Sequence, residues 1–391
     1  MNTLNPQQAA AIATGVYRLM NRSISELQAR GGELGCEDMF TVNDSSRFTG
    51  KSGGLIAWKD ITGFGYIAAG QGSYQGEVLL ATRGTQSKPD WLSNLNIGLQ
   101  LGPGGYPVHA GFNQVWKSFA PEIMAFLRNR NPATIHCVGH SLGGALATLG
   151  ADYLSAAQAG AVKLYTFGAP RTGVGLFAES LTSRVGAANM FRVYHTSDPV
   201  PMIPVFPFQH APAGKRGLPV KNGNHGLISK DAHSMDPSYI NAVASLSWPG
   251  LEAASREAEL SPGKIESWLN AAAASGSPVM AGSAFVLKMI GKVINWILSK
   301  AGALAVGAVG LALTATATLL DHLAWMLHRA AQFSKEVAGH VENLVVVIFK
   351  FLGRPLVKGM SLTLVFISFV LDLLFQRLRS TALGAVALAG R

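Results

Sequence analysis

Charged residues and cysteines are scarce in this sequence. Charged residues make up 14% of the 391 positions and hydrophobic residues 48%, whereas about a quarter of an average soluble domain is charged. This apolar content excludes an intrinsically disordered or collagen-like chain. The two cysteines, Cys36 and Cys137, cannot build a disulfide framework. Metal-ligand spacings, phosphate-binding loops and dinucleotide fingerprints are also missing, so we predict no cofactor and no metal.

The positive charge is concentrated towards the end of the chain. Residues 1–275 carry 21 Lys and Arg against 18 Asp and Glu, whereas residues 276–391 carry 11 against 4. A basic excess spread over an apolar segment favours anionic lipid headgroups over nucleic acid, whose binders usually gather Lys and Arg on a polar face. We therefore expect a membrane bilayer as a partner, a membrane-associated location and no nucleic acid. The first residues do not resemble a secretory signal peptide, so any export is expected to use another route.

Short β-forming runs alternate with amphipathic stretches between residues 54 and 200. This alternation predicts an α/β fold with a mostly parallel central sheet. The predicted strands are 55–57, 65–68, 78–81, 134–138, 162–166 and 191–194. Large apolar side chains recur at helical spacing from Phe112 to Leu127, which predicts one helix packed on the sheet. The composition changes after residue 250, and we expect a domain boundary there.

The C-terminal region is predicted to be all-α and very apolar. Residues 301–320 are uncharged and would span about 30 Å as a helix, so they are a candidate transmembrane segment. Residues 359–375 are a second candidate, although Asp372 interrupts them. Residues 285–298 have a basic face opposite an apolar one, as in a helix that lies on a membrane surface. The alternative is a helical bundle with a very apolar core.

Residues 139–144, Gly-His-Ser-Leu-Gly-Gly, match the Gly-x-Ser-x-Gly nucleophile elbow. In an elbow the serine lies on a strained turn between a strand and a helix, and the neighbouring glycines allow the two elements to approach closely. The context fits, because a β-forming run precedes the motif and a helix-forming run follows it. Ser141 is therefore the candidate nucleophile.

A nucleophilic serine needs a base and an orienting acid, which follow it in the order Asp, His in this type of fold. Asp198 comes directly after the predicted strand 191–194, in a loop from which a carboxylate can project. Three histidines follow it within residues 1–250, and their order alone does not choose among His210, His225 and His233.

Six segments together resemble the class 3 lipases over roughly residues 60–240. They are Arg83-Gly84-Thr85, Asp90-Trp91, His109-Ala110-Gly111-Phe112, the elbow with its following helix at 139–147, the segment 166–173, and Asp198-Pro199-Val200-Pro201. The resemblance implies an α/β-hydrolase fold and hydrolysis of lipid acyl esters. It also implies a lid between Thr85 and His109.

The resemblance also implies roles for individual residues. In this family the histidine near the end of the domain commonly precedes a tyrosine, and His233 followed by Tyr239 is similar to that site. His233 is therefore the expected base, with His225 as the alternative. The backbone N–H of Leu142 and the N–H and hydroxyl of Thr85 are the expected oxyanion-hole donors.

Taken together, the sequence predicts a lipase-like α/β-hydrolase domain at 1–250, a helical linker at 251–279 and an apolar basic helical region at 280–391. The expected function is a lipase or phospholipase A type serine esterase that cleaves membrane lipids, as a secreted antibacterial effector. A chaperone or inhibitor protein is expected to cover the apolar region. The alternatives are a membrane-inserting or pore-forming protein with an auxiliary hydrolase domain, and a resident membrane-anchored acylglycerol lipase.

Overall fold

The structure of the chain is a computed structural model. It describes residues 1–20, 22–29, 33–52, 60–84, 98–205, 207–215, 217–221, 227–255, 261–275, 281–302, 318–354 and 361–389. The predicted strand 55–57 lies outside these ranges.

The strands of the described residues form two sheets. They are β1 (Phe40–Thr41), β2 (Arg47–Ser52), β3 (Asp60–Gly70), β4 (Glu77–Thr82), β5 (Leu99–Leu101), β6 (Pro107–His109), β7 (Thr134–His140), β8 (Ala161–Phe167), β9 (Gly173–Val174), β10 (Met190–His195), β11 (Phe208–Gln209) and β12 (Leu218–Val220). The large sheet has the order β1-β3-β4-β7-β8-β10-β12, and β2 also pairs with β3. All pairs from β4 to β12 are parallel, whereas β1, β2 and β4 run antiparallel to β3. The predicted mostly parallel sheet is confirmed.

Helices cover both faces of the large sheet. The helices are α1 (Pro6–Gly15), α2 (Ile24–Gln28), α3 (Ala110–Leu127), α4 (Leu142–Ala156), α5 (Gly175–Val185), α6 (Ile240–Val243), α7 (Trp248–Ala254), α8 (Pro262–Ala274), α9 (Ala284–Lys300), α10 (Leu319–Phe333), α11 (Lys335–Phe351) and α12 (Leu364–Ala389). Leu80 of β4 faces the core beneath α3 and α4, whereas its neighbour Leu79 faces the core beneath α1. Every residue of β4 and of β7 is buried, as expected for strands covered on both faces.

Helices α8 to α12 form the all-α C-terminal region, and their apolar faces pack against protein. In α9 the residues Ile290, Val293 and Ile297 are almost completely buried, and α9 contacts α8, α10 and α11. The prediction that 285–298 lies on a membrane surface is not supported, because neighbouring helices cover its apolar face. The alternative of an apolar helical bundle agrees better with these contacts.

No helix within the described ranges is long and apolar enough to cross a membrane. The prediction of a transmembrane segment at 359–375 is therefore not supported by the residues that the structure describes. The helix there begins only at Leu364, and it carries Asp372, Arg377 and Arg379 along its length. Most of the other candidate segment, 301–320, lies outside the described residues.

The helical region and the α/β part share one apolar core. Val200 and Ile203, which follow β10, belong to the same buried cluster as Ala382, Ala385 and Val386 of α12. Helix α12 thus packs beside the loops that follow the parallel strands, which is the edge of the sheet where the predicted site residues lie.

Candidate active site

Ser141 lies on the sharp turn between β7 and α4. Its backbone has φ 58° and ψ −132°, a conformation that non-glycine residues rarely adopt and that strained functional turns use. The flanking glycines are required by packing. A Cβ atom at Gly139 would collide with the backbone of Gly143, and one at Gly143 would collide with the carbonyl oxygen of Thr82. The elbow therefore forms only with glycine at both positions.

The structure brings Ser141, His233 and Asp198 into one hydrogen-bonded row. Nε2 of His233 is 2.8 Å from Oγ of Ser141, and Nδ1 of His233 is 2.8 Å from Oδ2 of Asp198. A short helical turn, Asp231–His233, presents the imidazole. All three side chains are at most 2% exposed. A buried row of this kind can move a proton from the hydroxyl to the imidazole while the carboxylate fixes the ring.

Two further donors hold the carboxylate of Asp198. The hydroxyl of Tyr239 donates to Oδ2 at 2.7 Å, and the N–H of Val200 donates to Oδ1 at 2.8 Å. The Tyr239 oxygen also accepts the N–H of His195 at 2.9 Å. Burial and the charge of Asp198 raise the pKa of Tyr239 well above its usual value, so this hydroxyl stays protonated and remains a donor. The orientation of Asp198 is thus fixed from both of its oxygens.

Gly168 lies against the same row of side chains. Its φ is +55°, and a Cβ atom there would lie 2.8 Å from Oδ2 of Asp198, 2.9 Å from the Tyr239 oxygen and 3.2 Å from Nδ1 of His233. Only glycine combines this backbone conformation with so close an approach. The absence of a side chain at this position therefore allows the imidazole, the carboxylate and the phenol to meet.

A second network lies behind His233. Nε2 of His140 is 2.8 Å from the carbonyl oxygen of His233, and Nδ1 of His140 is 2.8 Å from the Tyr17 hydroxyl. Burial, together with the neighbouring His233, lowers the pKa of His140 well below its usual value, so its ring is neutral. Nε2 must then carry the proton, because its partner only accepts, and Nδ1 accepts from Tyr17. The Tyr17 oxygen in turn accepts the N–H of Gly84 at 3.2 Å.

The predicted oxyanion donors are only partly within the described residues. Leu142 is the first residue of α4, and the first N–H groups of a helix have no carbonyl partner within it. This N–H is therefore available beside Ser141. Thr85 lies outside the described residues, as does the part of the predicted lid up to residue 97; the rest of the lid, up to His109, contains β5 and β6. Gly84, which precedes Thr85, is held by Tyr17 and by Arg83, whose guanidinium donates to the Gly84 carbonyl at 2.7 Å.

Of the other candidate histidines, the structure describes His210, which is not part of this row. His210 is hydrogen bonded through Nε2 to the carbonyl oxygen of Pro201 at 2.8 Å. His225 lies outside the described residues. Nothing local in the sequence assigns a role to Tyr17 or His140, because only tertiary contacts reveal what they do. For Gly168 the one available signal is its position two residues after the predicted strand 162–166, within the segment 166–173 that resembles the class 3 lipases.

One carboxylate and histidine cluster lies away from this site, among the described helices. Ligand atoms of Glu266, Glu336 and His340 lie within 4.8 Å of one another. The ammonium group of Lys300 forms an ion pair with Glu336 and lies 3.5 Å from Nε2 of His340. The lysine cation thus already pairs with one of the two carboxylates, and the group joins α8, α9 and α11.

Comparison with known proteins identifies the lipase-like segment. Residues 79–208 match the family model for lipase (class 3). The chain is 37% identical over 157 residues to secreted mono- and diacylglycerol lipase 1 of Fusarium solani, which covers 38% of this chain and 46% of that protein. It is 35% identical over 148 residues to secreted mono- and diacylglycerol lipase A of Penicillium cyclopium, covering 36% and 47%. The chain therefore spans about half the length of the curated relatives it matches.

The lipase-like segment contains Ser141 and Asp198, whereas His233 lies beyond its end. Among solved structures, the Lip2 lipase of Yarrowia lipolytica is similar, with 20% identity, a TM-score of 0.40, and coverage of 57% of this chain and 79% of that chain. Helices α8 to α12 lie outside the segment that matches the class 3 lipases.

Proposed function

We propose that this chain is a serine ester hydrolase that cleaves acyl esters of lipids. The observation that carries the proposal is the hydrogen-bonded row in which Nε2 of His233 lies 2.8 Å from the Ser141 hydroxyl and Nδ1 lies 2.8 Å from Asp198. The similarity of residues 79–208 to class 3 lipases supports the same chemistry.

In the proposed reaction Ser141 attacks the ester carbonyl while His233 takes its proton. His233 then gives the proton to the leaving alcohol, and the acyl group remains on Ser141. A water molecule, deprotonated by His233, attacks this acyl group, and the proton returns to Ser141 as the fatty acid leaves. Asp198 keeps Nδ1 protonated and stabilises the imidazolium that forms. The hydrogen bonds from Tyr239 and Val200 hold this carboxylate in place before the substrate arrives.

The negative oxygen of the tetrahedral intermediate needs donors that are already oriented. The N–H of Leu142 is the donor nearest in sequence to the nucleophile, and we propose Thr85 as the second. Loss of one such donor typically costs about 2.7–4 kcal/mol of transition-state stabilisation. The network from His140 through Tyr17 to Gly84 supports this arrangement, because it links the backbone of His233 to the residue that precedes Thr85.

We propose that the substrates are acylglycerols and anionic phospholipids. The printed names of the relatives in Fusarium and Penicillium are mono- and diacylglycerol lipases, which supports the first class. The excess of basic residues in 276–391 supports the second, because a cationic surface attracts anionic lipid interfaces.

Membrane association, an effector role and a protein partner are further parts of this proposal. Large apolar side chains stand exposed on the helical region, including Phe333 at 67% and Val365 at 79%. Exposed apolar groups of this size support contact with a lipid interface or with a chaperone or inhibitor protein. An antibacterial effector should be toxic when it is directed to the periplasm of a test bacterium, and toxicity should be lost with Ser141→Ala.

The first experiment measures fatty acid release by the purified chain from diacylglycerol emulsions and from anionic phospholipid vesicles. Ser141→Ala removes the nucleophile, and Ser118→Ala removes a hydroxyl from α3 as a matched control. We expect the parent chain to release fatty acid from at least one of the two substrates. Ser141→Ala should abolish this release, and Ser118→Ala should leave it unchanged. Release that persists in Ser141→Ala would contradict the proposal. Vesicle leakage that is equal for the parent chain and Ser141→Ala would favour a pore-forming role.

A further inference from the structure

Backbone hydrogen bonds connect the helical region to the loops that carry His233 and Asp198. The N–H of Gly282 donates to the carbonyl oxygen of Phe351 at the end of α11, at 3.1 Å. The N–H of Ile228 donates to the carbonyl oxygen of Gly282 at 3.0 Å. The N–H of Ser229 donates to the carbonyl oxygen of Ser197, the residue before Asp198, at 2.9 Å. The segment 227–230, which leads directly to His233, is therefore held from both sides.

The last helix also packs against this segment. Helix α12 contacts the turn Asp231–His233, which presents the imidazole, and the turn Val200–Met202 beyond Asp198. A Cβ atom at Gly384 of α12 would lie 2.5 Å from both Cε and Nζ of Lys230. These atoms are the far end of an exposed lysine side chain, so a larger residue at 384 would displace that side chain rather than the backbone.

We propose that the helical region positions the acid and base of the proposed hydrolase, with Gly282 and Gly384 as its positioning residues. The inference rests on the proposed function, because it assigns the effect to His233 and Asp198. Gly282 acts through its backbone, because its N–H is hydrogen bonded to the end of α11 and its carbonyl oxygen to the segment 227–230. Gly384 acts by leaving room for the Lys230 side chain between α12 and that segment. Neither residue touches the reacting atoms.

Gly282 has a closely matched control within the helical region. Its φ is +66° with no atom within 4 Å of an added Cβ, and Gly302, at the end of α9, has the same φ and the same open surroundings. An alanine at either position meets the same backbone penalty. Only Gly282 takes part in the hydrogen bonds that lead to residues 228 and 351.

The test compares Gly282→Ala with Gly302→Ala in the full chain, with a soluble short-chain ester as the substrate. We expect similar losses of thermal stability in both. Gly282→Ala should lower kcat about tenfold with little change in KM and shift the acidic limb of the pH profile of kcat/KM, because displacing a catalytic base by a fraction of an ångström is costly. Gly302→Ala should keep kcat and the pH profile of kcat/KM at the parent values. Equal kcat and pH profiles in the two variants would overturn the proposal.

A second comparison tests Gly384 through rescue. Gly384→Leu should lower kcat, whereas Gly339→Leu should not, since Gly339 lies in α11 with no atom within 4 Å of an added Cβ. Adding Lys230→Ala to Gly384→Leu should restore most of the lost kcat, because it removes the side chain that the leucine meets. Failure of rescue in a folded double variant would refute the contact as the cause. Failure of the proposed function itself would instead appear as activity retained by Ser141→Ala.

Discussion

Gly168→Ala tests whether the acid, the base and their supporting tyrosine are held as closely as the structure indicates. The added Cβ would lie 2.8 Å from Oδ2 of Asp198, 2.9 Å from the Tyr239 oxygen and 3.2 Å from Nδ1 of His233. Ordinary contacts of a Cβ atom begin at about 3.4 Å, so the carboxylate must retreat by about 0.6 Å. Its hydrogen bond to His233 cannot then keep its present length.

The expected loss of unfolding free energy in Gly168→Ala has a backbone part and a packing part. Alanine in the left-handed region costs about 1–2 kcal/mol, and overpacking of a buried site costs about 1–3 kcal/mol more. Gly72 has φ +56° and no atom within 4 Å of an added Cβ, so Gly72→Ala carries the backbone part alone. We expect Gly168→Ala to lower the free energy of unfolding by about 2–5 kcal/mol and Gly72→Ala by about 1–2 kcal/mol.

Hydrolysis of a soluble short-chain ester should respond more sharply than stability does. A misplacement of about 1 Å in a catalytic group can cost on the order of 100-fold in rate, so a shift of about 0.6 Å in Asp198 should lower kcat by roughly 10- to 100-fold. Gly72→Ala should retain the parent kcat. Urea unfolding checks the stabilities. A Gly168→Ala variant with the kcat of Gly72→Ala would refute the reasoning, because the added methyl group would then not disturb the carboxylate.

Two further predictions follow from the polar groups around the site. Tyr239→Phe removes the donor to Asp198, and since hydrogen bonds to charged groups contribute about 1.5–3 kcal/mol, kcat/KM should fall by about 10- to 100-fold; unchanged kinetics would contradict this role. Burial lowers the pKa of His140 and of His210 well below its usual value. The unfolded chain alone therefore takes up these protons as the pH falls below about 6.5, and the stability measured by urea unfolding should decrease from pH 7 to pH 5. His210→Asn should reduce that slope by at most about 1.4 kcal/mol per pH unit, whereas equal stability of the parent chain at pH 7 and pH 5 would oppose the prediction.

The parallel strands and the residues that meet near them could be predicted from local patterns. The runs around β4, β7 and β8 are short, apolar and β-forming because both of their faces are covered. Ser141 follows one such strand and Asp198 another, and the ends of neighbouring parallel strands share one edge of a sheet. The sequence therefore indicated Ser141 from the elbow motif and Asp198 from its position after a strand, whereas His233 required the family resemblance.

The role of the helical region could not be predicted from composition. An apolar helix buried against protein and one buried in a bilayer have the same apolar side chains, and a hydropathy pattern does not say which surface covers them. The prediction of a transmembrane segment at 359–375 rested on that pattern alone. The glycine contacts were equally hidden, because Gly384 and Lys230 are separated by 154 positions in the chain, and nothing local to either residue indicates that they meet.

The position before the serine in the elbow accepts fewer residue types than the Gly-x-Ser-x-Gly motif suggests. His140 fills that position, and its ring centroid lies 4.6 Å from that of His233. In the proposed reaction His233 takes the serine proton and becomes a cation. A second cation at this separation would oppose that step by roughly 3–4 kcal/mol at an effective dielectric constant of about 20. Burial holds His140 neutral, so it can donate to the His233 carbonyl without adding charge. A permanently charged side chain at position 140 would make the same proton transfer harder, although the pattern of glycines and serine would be unchanged.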